Sequence, residues 1–150
     1  MNNNVIQHLD PYEDPDSHCD TQQYFMTELE KALYKGRIDV KPVGVVIFEV
    51  NTAYNTISIN EQQELSKRIG AALQDLPFEE KGRLRPAEYA AVIEGVDPDT
   101  FEKYVAAVKG RLQQEMTGQE ISIKYKIISP QEKINAETVI SDLEKELSAA

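Results

Sequence analysis

The stretch PVGVVIFEV, residues 42–50, is the feature that most constrains the fold of this chain. It is a nearly continuous apolar run, rich in valine, with one charged residue, Glu49. A short unbroken run of this kind is typical of a strand that is buried on both faces. We therefore expect a central strand here, in a sheet that carries packed helices.

Helical and strand patterns surround this run in a definite order. A helix is predicted from Asp20 or Thr21 to Gly36, followed by the strand over 42–50. The next helix runs from Asn60 to Pro77, with Gln63 completing a capping-box-like start, and a hairpin of 82–84 with 88–94 follows it. The chain continues with a helix from Asp97-Pro98, a strand over 120–129 and a helix capped by Asn135. This order predicts an α+β domain with a ferredoxin-like βαββαβ core, an N-terminal helix and a C-terminal helix.

Composition excludes several classes of function. The net charge of −10 argues against nucleic acid as a partner, because phosphate neutralisation requires a basic face. No apolar run approaches the roughly 18–20 residues of a membrane span, and the start of the chain lacks the pattern of a signal peptide. The single cysteine, Cys19, excludes an internal disulfide and fits the cytosol. We expect a cytoplasmic protein.

The chain is expected to divide at residue 16. Residues 1–16 are polar and acidic and predict a mobile arm, whereas residues 17–150 predict one globular domain. Acidic residues and His18 alternate near this boundary, but the pattern lacks the glycine and bidentate glutamate of a calcium loop. We interpret it as a solvated acidic segment, and the adjacent Cys19 as structural rather than nucleophilic.

Three stretches match the motifs of one known family in order and spacing: the ends of DPDSHCDTQQYF, the strand end with Glu49 and Asn51, and the hairpin RLRPAEY. On these residues the sequence resembles a GGDEF domain, the diguanylate cyclase family with a nucleotide cyclase palm-like fold. The family begins with Asp-x-Leu-Thr-Gly-Leu-x-Asn-Arg-x-x-Phe, and DPDSHCDTQQYF retains its two ends as Asp14 and Phe25. The strand that ends in Asp-x-Asp in the family carries Glu49 and Asn51 here. The signature Arg-x-Gly-Gly-Asp-Glu-Phe falls on residues 83–89, from Arg83 to Tyr89.

The departures from the family pattern bear on its chemistry. The resemblance implies a magnesium ligand in the hairpin turn, where Ala87 has no ligand atom. Pro86 replaces a glycine, fixes φ and removes an N–H donor. Ile57 stands where the family asparagine reads guanine, and the following loop is shorter than in the family. The neighbouring Glu88 points to the opposite face of an extended strand and is a poor replacement for the missing ligand.

These losses predict a domain that is not an enzyme, with no catalytic residue, no metal and no cofactor. The expected role is a protein-interaction or regulatory module in bacterial signalling, whose partner is an unidentified protein or a second copy of the chain. The predicted interaction surface is the hairpin remnant, Arg83, Arg85, Pro86, Ala87 and Glu88. The alternative is a non-catalytic receptor for GTP or cyclic di-GMP, using the remnant positions Glu49 and Asn51. Residual cyclase activity and an unrelated ferredoxin-like binding domain are further alternatives.

Overall fold

The helices and strands follow the order predicted from the sequence. A computed structural model describes residues 12–51, 57–116 and 119–149. Its elements are α1 (Gln22–Asp39), β1 (Val43–Asn51), α2 (Ile59–Gln74), β2 (Glu80–Arg85), β3 (Glu88–Glu94), α3 (Pro98–Glu115), β4 (Glu120–Ile128) and α4 (Ala136–Ala149). The α+β class is confirmed.

The four described strands form one antiparallel sheet in the order β2-β3-β1-β4. The valine-rich strand β1 is central, as predicted: Val46 pairs with Ala91 of β3 on one side and with Tyr125 of β4 on the other. This arrangement is the split βαβ pattern of ferredoxin-like sheets. It places the β2–β3 hairpin at one edge and brings the end of β1 beside the hairpin tip.

Each face of the sheet carries two helices and its own apolar core. Phe48 and Tyr89 of the sheet pack with Phe101 and Leu112 of α3 and with residues of α2 on one face. On the other face, strand residues such as Ile47 pack with residues of α1 and α4. Because side chains alternate along a strand, β1 contributes to both cores. Its unbroken apolar run therefore reflects burial on both faces.

Three helix boundaries differ from the prediction: the end of α1, the start of α2 and the end of α2, which falls at Gln74 and not at Pro77. Helix α1 continues past Gly36 to Asp39, and Val40 then adopts the left-handed conformation at φ 55°. Gly36 permits a close approach instead of a stop, because a Cβ there would lie 2.7 Å from Cγ2 of Val43. The capping box of α2 consists of Ser58 and Glu61, not Asn60 and Gln63.

The other helix starts agree with the prediction. Asp97 accepts a hydrogen bond from the Thr100 N–H at 3.0 Å, and Asn135 accepts one from Thr138 at 2.8 Å. Among the described residues, no helix is long and apolar enough to cross a membrane.

Candidate functional site at the β2–β3 hairpin

The hairpin tip is closed by hydrogen bonds to its own backbone. Pro86 and Ala87 form the connection between β2 and β3. Arg83 donates to the Pro86 carbonyl from Nε at 3.1 Å and from Nη2 at 2.9 Å. The Val50 N–H of β1 donates to the Ala87 carbonyl at 3.0 Å. A β-bulge between Arg83 and Arg85 completes a tip whose conformation is fixed from both sides.

Arg83 also joins the hairpin to the segment that precedes α1. Its Nη1 lies 3.1 and 3.2 Å from the two carboxylate oxygens of Asp14, and both side chains are largely buried. Burial opposes ionisation of Asp14, but hydrogen bonds from Ser17 and the charge of Arg83 outweigh it and lower its pKa. The resemblance to the family motifs placed Asp14 and Arg83 at family positions, but it gave no signal that the two side chains pair.

Backbone hydrogen bonds strengthen this junction. The Asp20 N–H donates to the Lys81 carbonyl at 2.7 Å, and the Arg83 N–H donates to the Asp20 carbonyl at 2.9 Å. The predicted arm of residues 1–16 therefore includes a segment, from Tyr12 onward, whose Asp14 is bound to β2. Residues 1–11 lie outside the described part of the chain, and the boundary at residue 16 stays a prediction.

The remnant acidic residues meet on the opposite face of the sheet. Glu49 and Glu88 are register partners, and their alternation with the core residues places both toward α1 and α4. Glu88 is only 4% exposed and its Oε2 has no hydrogen-bond partner. Arg85 contacts Glu144 of α4 at 3.3 Å and Glu88 at 3.8 Å. Burial, the neighbouring Glu144 and the charge of Glu49 raise the pKa of Glu88 to about 8, although Arg85 opposes the shift.

This placement bears on the argument that set Glu88 on the strand face opposite Ala87. The alternation rule applies within a strand, but Ala87 lies in the turn, so the regular pattern begins at Glu88. Glu88 therefore shares a face with Glu49. It nevertheless lies beneath Arg85 and against α4, and among the described residues no group of three or more His, Cys, Asp or Glu side chains is placed to hold a metal ion.

A cleft of about 430 Å³ lies beside the tip, on the Arg83 side. It is bordered by Asp14, Asp16, Arg83, Arg85 and Pro86 of the hairpin region and by Ile59, Gln62 and Gln63 at the start of α2. Ile57 does not border this cleft; it lines a separate cavity of about 390 Å³ on the other flank of α2. The hairpin tip and Ile57 thus border two separate cavities, whereas Glu49 and Glu88 lie on the opposite face of the sheet.

One predicted site residue, Asn51, and one residue that was not predicted, Glu144, complete the description of the site. The backbone of Asn51 ends β1 opposite Glu120, and its side chain lies outside the described residues. Glu144 was not singled out as a site residue in the sequence analysis. Its spacing of four residues from Ile140 and three from Leu147 places it at the border of the apolar stripe of α4, which is the signal that would have identified it.

The sheet order, the two helical layers and the hairpin define a GGDEF-like fold, and solved structures confirm it. The GGDEF domain of DgcB from Caulobacter crescentus, solved with c-di-GMP, has a TM-score of 0.81 at 12% identity, over 95% of this chain and 91% of that chain. A DGC protein from Thermotoga maritima has a TM-score of 0.70 at 23% identity, over 88% of this chain and 98% of that chain.

A third neighbour was solved with a protein partner. The diguanylate cyclase SiaD from Pseudomonas aeruginosa, in complex with its activator SiaC, has a TM-score of 0.72 at 12% identity, over 97% of this chain and 60% of that chain. No protein-family model matches the sequence, and a search of curated proteins finds no match. At these identities the similarity establishes the fold of the chain.

Proposed function

We propose that this chain is a non-catalytic GGDEF-like domain that acts as a protein-interaction or regulatory module in bacterial signalling, in the cytoplasm. The observation that carries the proposal is the chemistry of the hairpin tip. Ala87, which has no ligand atom, stands where the family motif has a carboxylate. The carbonyl groups of Pro86 and Ala87 are already occupied, by Arg83 and by the Val50 N–H.

The charged groups of the hairpin are also engaged within the domain. Arg83 is bound to Asp14 and to the tip backbone, and Arg85 is bound to Glu144. Glu88 is buried, and Glu49 lies opposite it, away from the cleft. A cyclase must hold Mg²⁺ and a triphosphate with groups that are free to bind them. The hairpin is therefore better suited to present a fixed surface than to bind a metal–nucleotide complex.

A turnover assay tests the absence of catalysis. The purified chain is incubated with GTP and Mg²⁺, and cyclic di-GMP is measured by mass spectrometry beside an active GGDEF domain. We expect no product, and we expect Ala87→Asp to restore none, because Pro86 and the tip hydrogen bonds remain. Product above the blank that disappears in Glu49→Ala would contradict the proposal.

The interaction role predicts that a partner contacts the tip. Pro86 and Arg85 are exposed there, and the neighbouring Ile59 is 72% exposed, which gives the cleft an apolar rim. A photo-crosslinking amino acid at position 86 should capture a specific partner, or a second copy of the chain, in the native cell. The same group at the exposed position 109 on α3 is the matched control. Equal labelling from the two positions would reject the tip as the interface.

The cleft beside Arg83 favours a second candidate, a nucleotide receptor without turnover. Its volume of about 430 Å³ and its amide side chains, Gln62 and Gln63, suit a small polar ligand. Asp14 and Asp16 in the same wall oppose a phosphate. Calorimetric titration with GTP and Mg²⁺, and then with cyclic di-GMP, separates the two candidates. One-to-one micromolar binding that is lost in Gln62→Ala but kept in Arg111→Ala would favour the receptor.

A further inference from the structure

The contact between the hairpin and α4 is built from acidic groups. Glu88 on β3, Glu49 on β1 and Glu144 on α4 surround one cation, Arg85. The next charged side chain along β4 on this face is Lys124, two residues beyond Ser122, which is the register partner of Glu49. From α1, the side chain against the hairpin is the apolar Phe25, next to Gly82. If all three carboxyls ionised, the junction around the buried Glu88 would hold three negative charges against one positive charge.

The hydrogen-bond geometry points to a proton at this place. Glu88 is only 4% exposed, and its buried Oε2 has no hydrogen-bond partner. Arg85 Nε lies 3.8 Å from a carboxyl oxygen of Glu88 and 3.3 Å from one of Glu144, so the two carboxyl groups meet around one guanidinium group. Two carboxylates are both acceptors, so their contact becomes a hydrogen bond only when one of them carries a proton. An unprotonated pair would instead repel in a poorly solvated site.

We propose that Glu88 and Glu144 share a proton that fastens the β2–β3 hairpin to the C-terminal helix, so that this contact opens more often as the pH rises from acidic to neutral. The device is independent of the function proposed above, since it requires neither a partner nor a nucleotide. It makes the attachment of α4 to the hairpin a titratable property of the domain.

The direction follows from proton linkage. When the contact opens, Glu88 reaches water and takes its ordinary pKa of about 4.5, whereas in the closed contact its pKa is about 8. Between these values the open form is ionised while the closed form holds its proton. The equilibrium constant for opening the contact therefore rises by up to about tenfold for each pH unit between these two pKa values, and it becomes constant above the higher one.

The test measures amide hydrogen exchange and the protonation of the Glu88 carboxyl group in the whole chain. Hydrogen exchange, corrected for the intrinsic rate, is measured at several pH values between 5.5 and 9 for the Val50 amide and the amides of α4 near Glu144. We expect their protection to fall through neutral pH and to level off above pH 8, while amides in α3 keep theirs. Carbon-13 NMR of the Glu88 carboxyl should show it protonated at pH 6.

Two variants and a control make the result specific. Glu88→Gln keeps the shape of the side chain and supplies a permanent hydrogen-bond donor. In this variant the protection of the Val50 and α4 amides against hydrogen exchange should no longer change with pH. Glu144→Gln should bring the titration of Glu88 down toward its ordinary range. Glu146→Gln, at an exposed position of the same helix, should behave as the wild type. An ionised Glu88 at pH 6, pH-independent protection in the wild type, or a wild-type slope in Glu88→Gln would each overturn the proposal.

Discussion

The pair formed by Arg83 and Asp14 links two segments that lie 69 residues apart in the chain, and its contribution to stability can be measured. The side chains are 13% and 17% exposed, and Arg83 also makes two bonds to the Pro86 carbonyl. Breaking a buried pair costs about 3–5 kcal/mol when one charge is left alone. Asp14 keeps two hydrogen bonds from Ser17, which lowers this cost.

We therefore expect Arg83→Met to lower the free energy of unfolding by about 2–3 kcal/mol and Asp14→Asn by about 1–2 kcal/mol. The assay is urea unfolding of both single variants and the double variant at pH 7, from which a double-mutant cycle gives the coupling energy. A coupling of about 1–2 kcal/mol is expected. Arg111→Met is the matched control, because Arg111 pairs with Asp75 at the surface and its loss should cost at most about 1 kcal/mol.

The pH dependence provides a second check on the same pair. The pKa of Asp14 is lowered from its usual 3.8, so its ionised form stabilises the fold above that value. This stabilisation is lost as the pH falls through the lowered pKa, and the coupling energy should shrink with it. A coupling near zero at pH 7, or one that is unchanged in acid where the domain stays folded, would refute the reasoning.

Three further outcomes are expected. Gly70→Ala should destabilise the domain strongly in urea unfolding, because its Cβ would lie 1.9 Å from the Ser17 carbonyl oxygen; normal stability would mean that the segment before α1 does not rest on α2. Asp97→Ala should cost about 0.5–2 kcal/mol through loss of the α3 cap, whereas Asp97→Asn should cost less. Burial and the neighbouring Glu80 raise the pKa of Asp20 to about 8, so the stability of the wild type should decline toward that pH, and Asp20→Asn should flatten the decline in thermal melts between pH 5 and 9.

The fold could be predicted from the sequence because the patterns that indicate its helices and strands are local. The apolar run of β1 and the caps at Asp97 and Asn135 each depend on residues within one turn or one strand. Gly36 failed as a helix end because its role is set by a distant residue, Val43, that packs against it. Local patterns cannot distinguish a glycine that ends a helix from one that allows close packing.

The candidate site could be predicted only in part, because local patterns do not show which distant residues pair. Motif spacing placed Pro86 and Ala87 at the hairpin tip, and the structure agrees. The partners that determine the chemistry of the hairpin are Asp14, 69 residues before Arg83, and Glu144, 59 residues after Arg85. Tertiary folding alone brings these side chains together, so neither motif nor periodicity identifies the pairs.

The strand order also decides where this sheet is open to other strands. The edge at β2 is shielded, since the backbone of Asp20 bonds to Lys81 and Arg83. Among the described residues no strand pairs with the outer edge of β4, a strand of nine residues. Lys124 and Lys126 lie on that strand, and lysine on an edge strand disfavours pairing with an unrelated β-segment. Hydrogen bonds with the backbone of Asp20 thus cover the β2 edge, and the lysine charges on β4 disfavour edge-to-edge pairing on the other side.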